Sequence, residues 1–160
     1  AAIDYLEGER FKKIGVMGFS LGAAVEILTA VEDQRLKAIV SDSAFASIDL
    51  MGYEFYKNLF VLKYPLTELT KFWAKLFLGI DADQLSPEKA ATNLKIPVLI
   101  IHSKKDQTIS FENALRIQSA LKKNPGAEFF FLDEGTHVAL PTHLQEEYEQ
   151  KVLEFFKKNL

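Results

Sequence analysis

Short apolar runs alternate with longer segments whose apolar residues recur at helical spacing. Lys13 to Gly18 (KIGVMG) is a compact apolar run closed by glycine, the pattern of a buried strand. Leu21 to Val31 follows as an apolar, alanine-rich helix. Lys37 to Ser41 (KAIVS), Pro97 to His102 (PVLIIH) and Glu128 to Leu132 (EFFFL) read as three further strands. Between the last two, Phe111 to Lys123 places Ala114, Leu115, Ile117, Ala120 and Leu121 near one helix face. Asn124-Pro125-Gly126 ends that helix, because proline cannot continue the ladder and glycine tolerates the turn. Leu144 to Asn159 is a last amphipathic helix with Tyr148, Val152, Phe155 and Phe156 turned inward, and residues 1–12 look like the tail of a helix. Strands that alternate with helices imply βαβ crossovers, hence an α/β three-layer sandwich around a mostly parallel sheet.

One stretch breaks the alternation. Residues 44–95 hold no convincing strand but many aromatics, among them Phe45, Tyr53, Phe60, Tyr64, Phe72, Trp73 and Phe77. A connection this long carries its own helices. They either pack on the core or form a cap whose aromatic face lines an apolar pocket, and one segment can do both.

Composition narrows the classes. A chain of 160 residues fits one domain with a real core. A net charge of −3 offers no basic face for nucleic acid, so none is expected as a partner. The absence of cysteine excludes disulfides, thiolate metal sites and a cysteine nucleophile. His102, His137 and His143 lack metal-ligand spacing, and no metal is expected. No apolar run reaches the ~20 residues of a membrane span, and the start has no signal-peptide pattern. A soluble, cytoplasmic protein without membrane partners is the expectation.

Gly18-Phe19-Ser20-Leu21-Gly22 then changes the picture. A serine hydroxyl is a poor nucleophile unless presented on a strained turn beside a base. The pattern G-x-S-x-G between strand and helix supplies that turn, and small flanking residues let the two backbones approach. The helix N-terminus also aims N–H groups at developing negative charge.

With that elbow, the chain resembles the α/β-hydrolase family, more narrowly its serine aminopeptidase and acyl-hydrolase-like branch with a short helical cap. The resemblance is carried by KIGVMGFSLGAAVEIL, IVSDSAFASI, IPVLIIHSKKDQTISFENALRI and FFFLDEGTHVAL, which follow one another in family order. It implies a triad of Ser20, Asp106 and His137. His137 would take the Ser20 proton and return it to the leaving group. Asp106 would fix the imidazole tautomer and support the imidazolium. The Leu21 backbone N–H would donate one oxyanion hydrogen bond. Ser43 and Phe45 match positions that border the pocket in the family, and Phe19, Tyr53 and Trp73 join them as candidate pocket residues. The expected reaction is cleavage of a carboxylic ester, thioester or amide through an acyl-enzyme on Ser20. It needs no cofactor, and its partner is a small ester or acyl substrate.

Alternatives stand beside each assignment. Asp106 could cap the helix near Phe111, and Asp42, Asp133 and Glu134 compete as the acid. His102 reads as a packed core residue and His143 as structural. The family usually has glycine where this chain has Ser103, and Val-Pro where it has Ile109-Ser110. In the full fold about four strands precede the nucleophile strand, whereas residues 1–12 alone precede it here. The sequence therefore reads as the C-terminal part of the fold. An exposed KIGVMG edge near residues 13–18 would invite self-association. A serine peptidase of the prolyl-oligopeptidase or aminopeptidase type, and a non-catalytic binding or interaction protein, are the other functional readings.

Overall fold

A computed structural model describes residues 2–160; Ala1, at the head of the expected helix tail, lies outside the described residues. The elements are α1 (Ala2–Gly8), β1 (Ile14–Phe19), α2 (Leu21–Glu32), β2 (Leu36–Asp42), α3 (Ile48–Phe55), α4 (Lys63–Leu78), α5 (Pro87–Ala91), β3 (Val98–Ser103), α6 (Phe111–Ala120), β4 (Ala127–Leu132) and α7 (Thr142–Asn159). Short 3-10 turns fill Lys57–Leu62, Ala82–Gln84 and Leu121–Lys123. Every expected strand is present, displaced by a residue or so at its ends.

The four strands form one parallel sheet in the order β1-β2-β3-β4. β2 and β3 are covered on both faces, which explains why they read as apolar runs, whereas Met17 and Phe19 of the edge strand β1 are exposed. Successive side chains of one strand go to opposite cores. Ile39 of β2 and Val98 and Ile100 of β3 join Ala23 and Ile27 of α2 and Ile117 of α6. Ala38, Val40, Leu99 and Ile101 instead meet Leu132 and the α7 residues Tyr148, Val152 and Phe155. The fold is the expected α/β sandwich. Among the described residues no helix is long and apolar enough to cross a membrane.

Register fixes where the strands end relative to one another. Phe19 stands beside Asp42, Asp42 beside Ile101, and Ser103 beside Leu132. The C-terminal ends of all four strands therefore open along one edge, where open α/β sheets hold their ligands.

Between β2 and β3 the chain is helical, as expected, but its two ends belong to the main core. Ala44, Ala46, Ala91 and Leu94 are buried in the α2 face of the sheet. Ser86 caps α5 through the Lys89 N–H, and Pro87 starts it. The part that projects is α3 and α4, together with the turn between them, where Phe55, Phe60 and Phe77 are each at least 75% exposed. Glu54 of α3 ties this part back to the sheet. Its carboxylate accepts from the Ser110 backbone N–H at 3.2 Å, from Asn113 Nδ2 at 2.9 Å and from the Ser110 hydroxyl. The fully buried Asn113 in turn accepts from Ala46 N–H at 2.8 Å.

Glu26 is an exception within the core. It lies in α2 at 4% exposure, and neither carboxyl oxygen has a hydrogen-bond partner. The Ser41 hydroxyl is given to the Ala23 carbonyl instead. Burial, opposed by the nearby Ser41 hydroxyl and helped by the Asp42 charge, pushes the Glu26 pKa up to about 9.

The packing sets two expectations for stability. Ile27→Ala, which empties a fully buried site between α2 and the sheet, lowers unfolding free energy by about 3 kcal/mol in urea denaturation. Glu26 is protonated in the fold at neutral pH but ionised in the unfolded chain, so folding takes up a proton there. Stability is then lost as pH rises from about 4.5 toward about 9. Glu26→Gln is expected to gain on the wild type steadily across that window, with no gain below it. Melting curves at several pH values read the difference, and a gap independent of pH would contradict the assignment.

Candidate active site

Ser20 occupies the turn from β1 into α2 with φ 55° and ψ −115°. A non-glycine residue at positive φ is strained, and it persists where the surroundings over-determine it. Here the Ser20 N–H donates to the Asp42 carbonyl at 2.8 Å, and the Ser20 carbonyl accepts from Ala24 N–H at 3.1 Å. Gly18 makes the turn possible. A Cβ there would come within 2.6 Å of the Ala23 nitrogen and of the Gly22 carbonyl group. Gly22 differs from expectation: a Cβ added to it would meet nothing within 4 Å, so close approach is needed on the strand side alone.

His137 sits in the β4–α7 loop, in a turn closed by Thr136 N–H donating to the Ala139 carbonyl at 2.9 Å. Its Nε2 is 2.9 Å from Ser20 Oγ, and its Nδ1 is 2.7 Å from Asp106 Oδ2. The arrangement fits a neutral imidazole that donates from Nδ1 and accepts the serine proton at Nε2. The Phe19 ring lies against it, with centroids 5.0 Å apart.

Asp106 is held as a carboxylate must be when buried. Its side chain is fully covered, and Oδ1 accepts from Thr108 N–H at 2.8 Å and Ile109 N–H at 2.9 Å. Its second oxygen is left for His137. His102, buried as expected, hydrogen-bonds the Ile109 carbonyl through Nε2 at 2.9 Å and stands 3.7 Å from Asp106 Oδ2. It braces the acid loop from beneath.

The competing acids are engaged elsewhere. Asp133 is exposed and paired with Lys104 at 2.5 Å. Glu134 lies 3.7 Å from the exposed His143. Asp42 accepts from Tyr148 Oη at 2.6 Å and Ser43 Oγ at 2.9 Å. Burial raises its pKa, and these two hydrogen bonds act in the opposite sense. Burial also raises the Tyr148 pKa, and its hydrogen bond to Asp42 raises it further.

A cavity of about 370 Å³ lies beside His137. Phe19 and Ser43 line it, together with Asp42, Leu132, Leu140 and Tyr148. The structure does not bring Phe45, Tyr53 or Trp73 to it. Phe45 is buried against Ala24 and Ile109, Tyr53 packs edge-on to Tyr64, and Trp73 stacks on Phe77 on the projecting helix. Their aromatic character answers to local packing instead. Tyr148 was legible as an inward-facing helix residue, but a helical period cannot say that its hydroxyl reaches the end of β2. Leu21 heads α2, where the first N–H groups have no acceptor within the helix. Among the described residues no group of three or more acidic or histidine side chains could hold a metal.

Known proteins share this architecture. The Bacillus subtilis protein YqkD is 29% identical over 145 residues, covering 89% of this chain and 47% of YqkD. A Pyrococcus furiosus esterase superposes with TM-score 0.74 at 28% identity, covering 99% of this chain and 59% of the esterase. An acylaminoacyl peptidase from Pyrococcus horikoshii shares the fold at 21% identity and TM-score 0.73, covering 98% of this chain and 26% of its own. The chain thus spans about half the length of the first two. The sequence profile of the prolyl oligopeptidase family matches residues 1–160. Because that match extends over the whole chain, the protein belongs to the prolyl oligopeptidase family, within the α/β-hydrolase superfamily, and corresponds to its C-terminal catalytic portion.

Proposed function

We propose that this chain supplies the nucleophile, base and acid of a serine hydrolase that cleaves a carboxylic ester through an acyl-enzyme on Ser20. The observation that carries the reading is the unbroken hydrogen-bonded line from Ser20 Oγ through His137 to the buried Asp106, at 2.9 and 2.7 Å. Residues far apart in the chain reach that geometry from three different loops.

In the first half-reaction Ser20 Oγ attacks the carbonyl carbon while its proton passes to His137 Nε2. The carbonyl π pair moves onto oxygen, and the Leu21 N–H donates to the resulting oxyanion. Asp106 stabilises the imidazolium and is not itself protonated. Collapse of the tetrahedral species breaks the bond to the leaving group, which takes the proton from His137. Water then attacks the acyl-enzyme by the same steps, and the carboxylic acid departs as Ser20 regains its proton. The proton transfers of each step use Ser20, His137 and water. The cavity lined by Phe19, Leu132, Leu140 and Tyr148 is the place beside His137 for an apolar part of the substrate.

An ester is preferred because the more similar of the two solved structures is an esterase. A peptidase is the second reading, favoured by the family the chain belongs to. The same relay serves both, since fold and triad do not choose between them.

A fluorophosphonate probe is expected to label Ser20, and Ser20→Ala to abolish both labelling and hydrolysis of p-nitrophenyl esters. Asp106→Asn is expected to lower kcat by about ten-thousandfold, because the wrong imidazole tautomer then faces the serine. Faster turnover of aminoacyl anilides than of esters would move the assignment to the peptidase. A folded protein that takes up no probe would falsify the hydrolase reading and leave a binding role.

A further inference from the structure

β3 ends on Ser103, where the resembling family usually carries glycine. The hydroxyl is not idle. Ser103 is only 5% exposed, and its Oγ is 2.7 Å from the Gly135 carbonyl and 3.2 Å from the Glu134 carbonyl. The same oxygen accepts from Lys105 N–H at 3.1 Å. Ser103 stands three residues before Asp106, and Gly135 two residues before His137. One buried hydroxyl therefore spans the loop that carries the acid and the loop that carries the base.

Other ties between these loops lie at their margins. Lys104 N–H donates to the Leu132 carbonyl at 2.8 Å, but at the end of β4, before the base loop begins. The Lys104–Asp133 pair is at the surface, with the carboxylate 82% exposed, so water and salt weaken it. The base loop turns at Gly135, whose φ of +102° a glycine adopts freely, so the position of the loop is set there by an anchor to a neighbouring element. The hydrogen bond from Ser103 Oγ to the Gly135 carbonyl provides it.

We propose that Ser103 is a positioning residue that fixes the Asp106–His137 pair by locking the base loop onto the end of β3. Glycine in its place would leave the Gly135 carbonyl without this donor and the two loops tied only at the end of β4, at the surface and through the Asp106–His137 pair itself. The effect on rate rests on the hydrolase reading. The effect on the Asp106–His137 hydrogen bond stands without it.

The experiment compares wild type, Ser103→Ala, Ser103→Thr and Asp106→Asn in the full chain, by proton NMR and by ester hydrolysis. The Nδ1 proton of His137, bound to a buried carboxylate, gives a far-downfield signal that Asp106→Asn removes and so identifies. Ser103→Ala is expected to broaden that signal or move it upfield and to lower kcat on the order of tenfold with KM little changed. Ser103→Thr, which keeps the hydroxyl, restores the signal and the rate. Should the alanine variant unfold, Ser103→Cys keeps the volume with a weaker donor and carries the same expectations. An unchanged signal and kcat in Ser103→Ala, or no downfield signal in the wild type, overturns the proposal. If the wild type hydrolyses nothing yet its signal depends on Ser103, the hydrolase reading fails and the positioning role stands.

Discussion

The site depends on two central strands that are buried on both faces. β2 and β3, covered by α2 and α6 on one side and α7 on the other, cannot place polar groups in their middles. Polar chemistry is confined to the strand ends. Register then brings Phe19, Asp42 and Ser103 out along one edge, so the loops beyond them start as neighbours. Ser20 takes its strained turn because Gly18 admits the α2 backbone at a distance no side chain would allow. Strain at one residue is tolerable when the hydrophobic core beneath it fixes both flanking elements.

Two buried carboxyls and a half-buried one show how differently a fold can treat the same group. Asp106 receives two backbone N–H donors and the His137 imidazole, so its charge is stabilised where it is needed. Asp42 has two hydroxyl donors, from Ser43 and Tyr148, and burial still raises its pKa. Glu26 has none and is held neutral at physiological pH. The gradient from full to absent hydrogen bonding separates a group suited to support an imidazolium from one that merely occupies the core. It also sets Asp106 apart from Asp42, one of the acids that competed for the histidine.

The helical segment between β2 and β3 is linked to the site by a side chain rather than by its aromatics. Glu54 sits at the N-terminus of α6, the helix that follows the Asp106 loop, and binds Ser110 and Asn113 there. A carboxylate at that helix end is favourably placed with respect to the helix dipole. α3 is thereby fastened to the acid side of the site, while the aromatic rows of α4 remain in solvent.

Much of this was legible in the chain. Strand and helix periods are local properties, so the four strands, the order of elements and the parallel sheet could be read directly. The G-x-S-x-G turn was equally plain, since its glycine requirement is a matter of a few neighbouring backbone atoms; the structure narrowed that requirement to Gly18. His137 and Asp106 were named from resemblance, and only the packed loops bring them within 2.7 Å of one another. Aromatic content misdirected the reading of Tyr53 and Trp73, because a period marks which residues are apolar and not which surface they meet. Ser103 could be marked as a departure, yet the carbonyl it binds lies 32 positions away. The sequence by itself determined the elements, the elbow and the family, all of which rest on short-range pattern. The tertiary structure alone decided which acid serves the histidine and what holds that pair together, because both depend on register between strands distant in the chain.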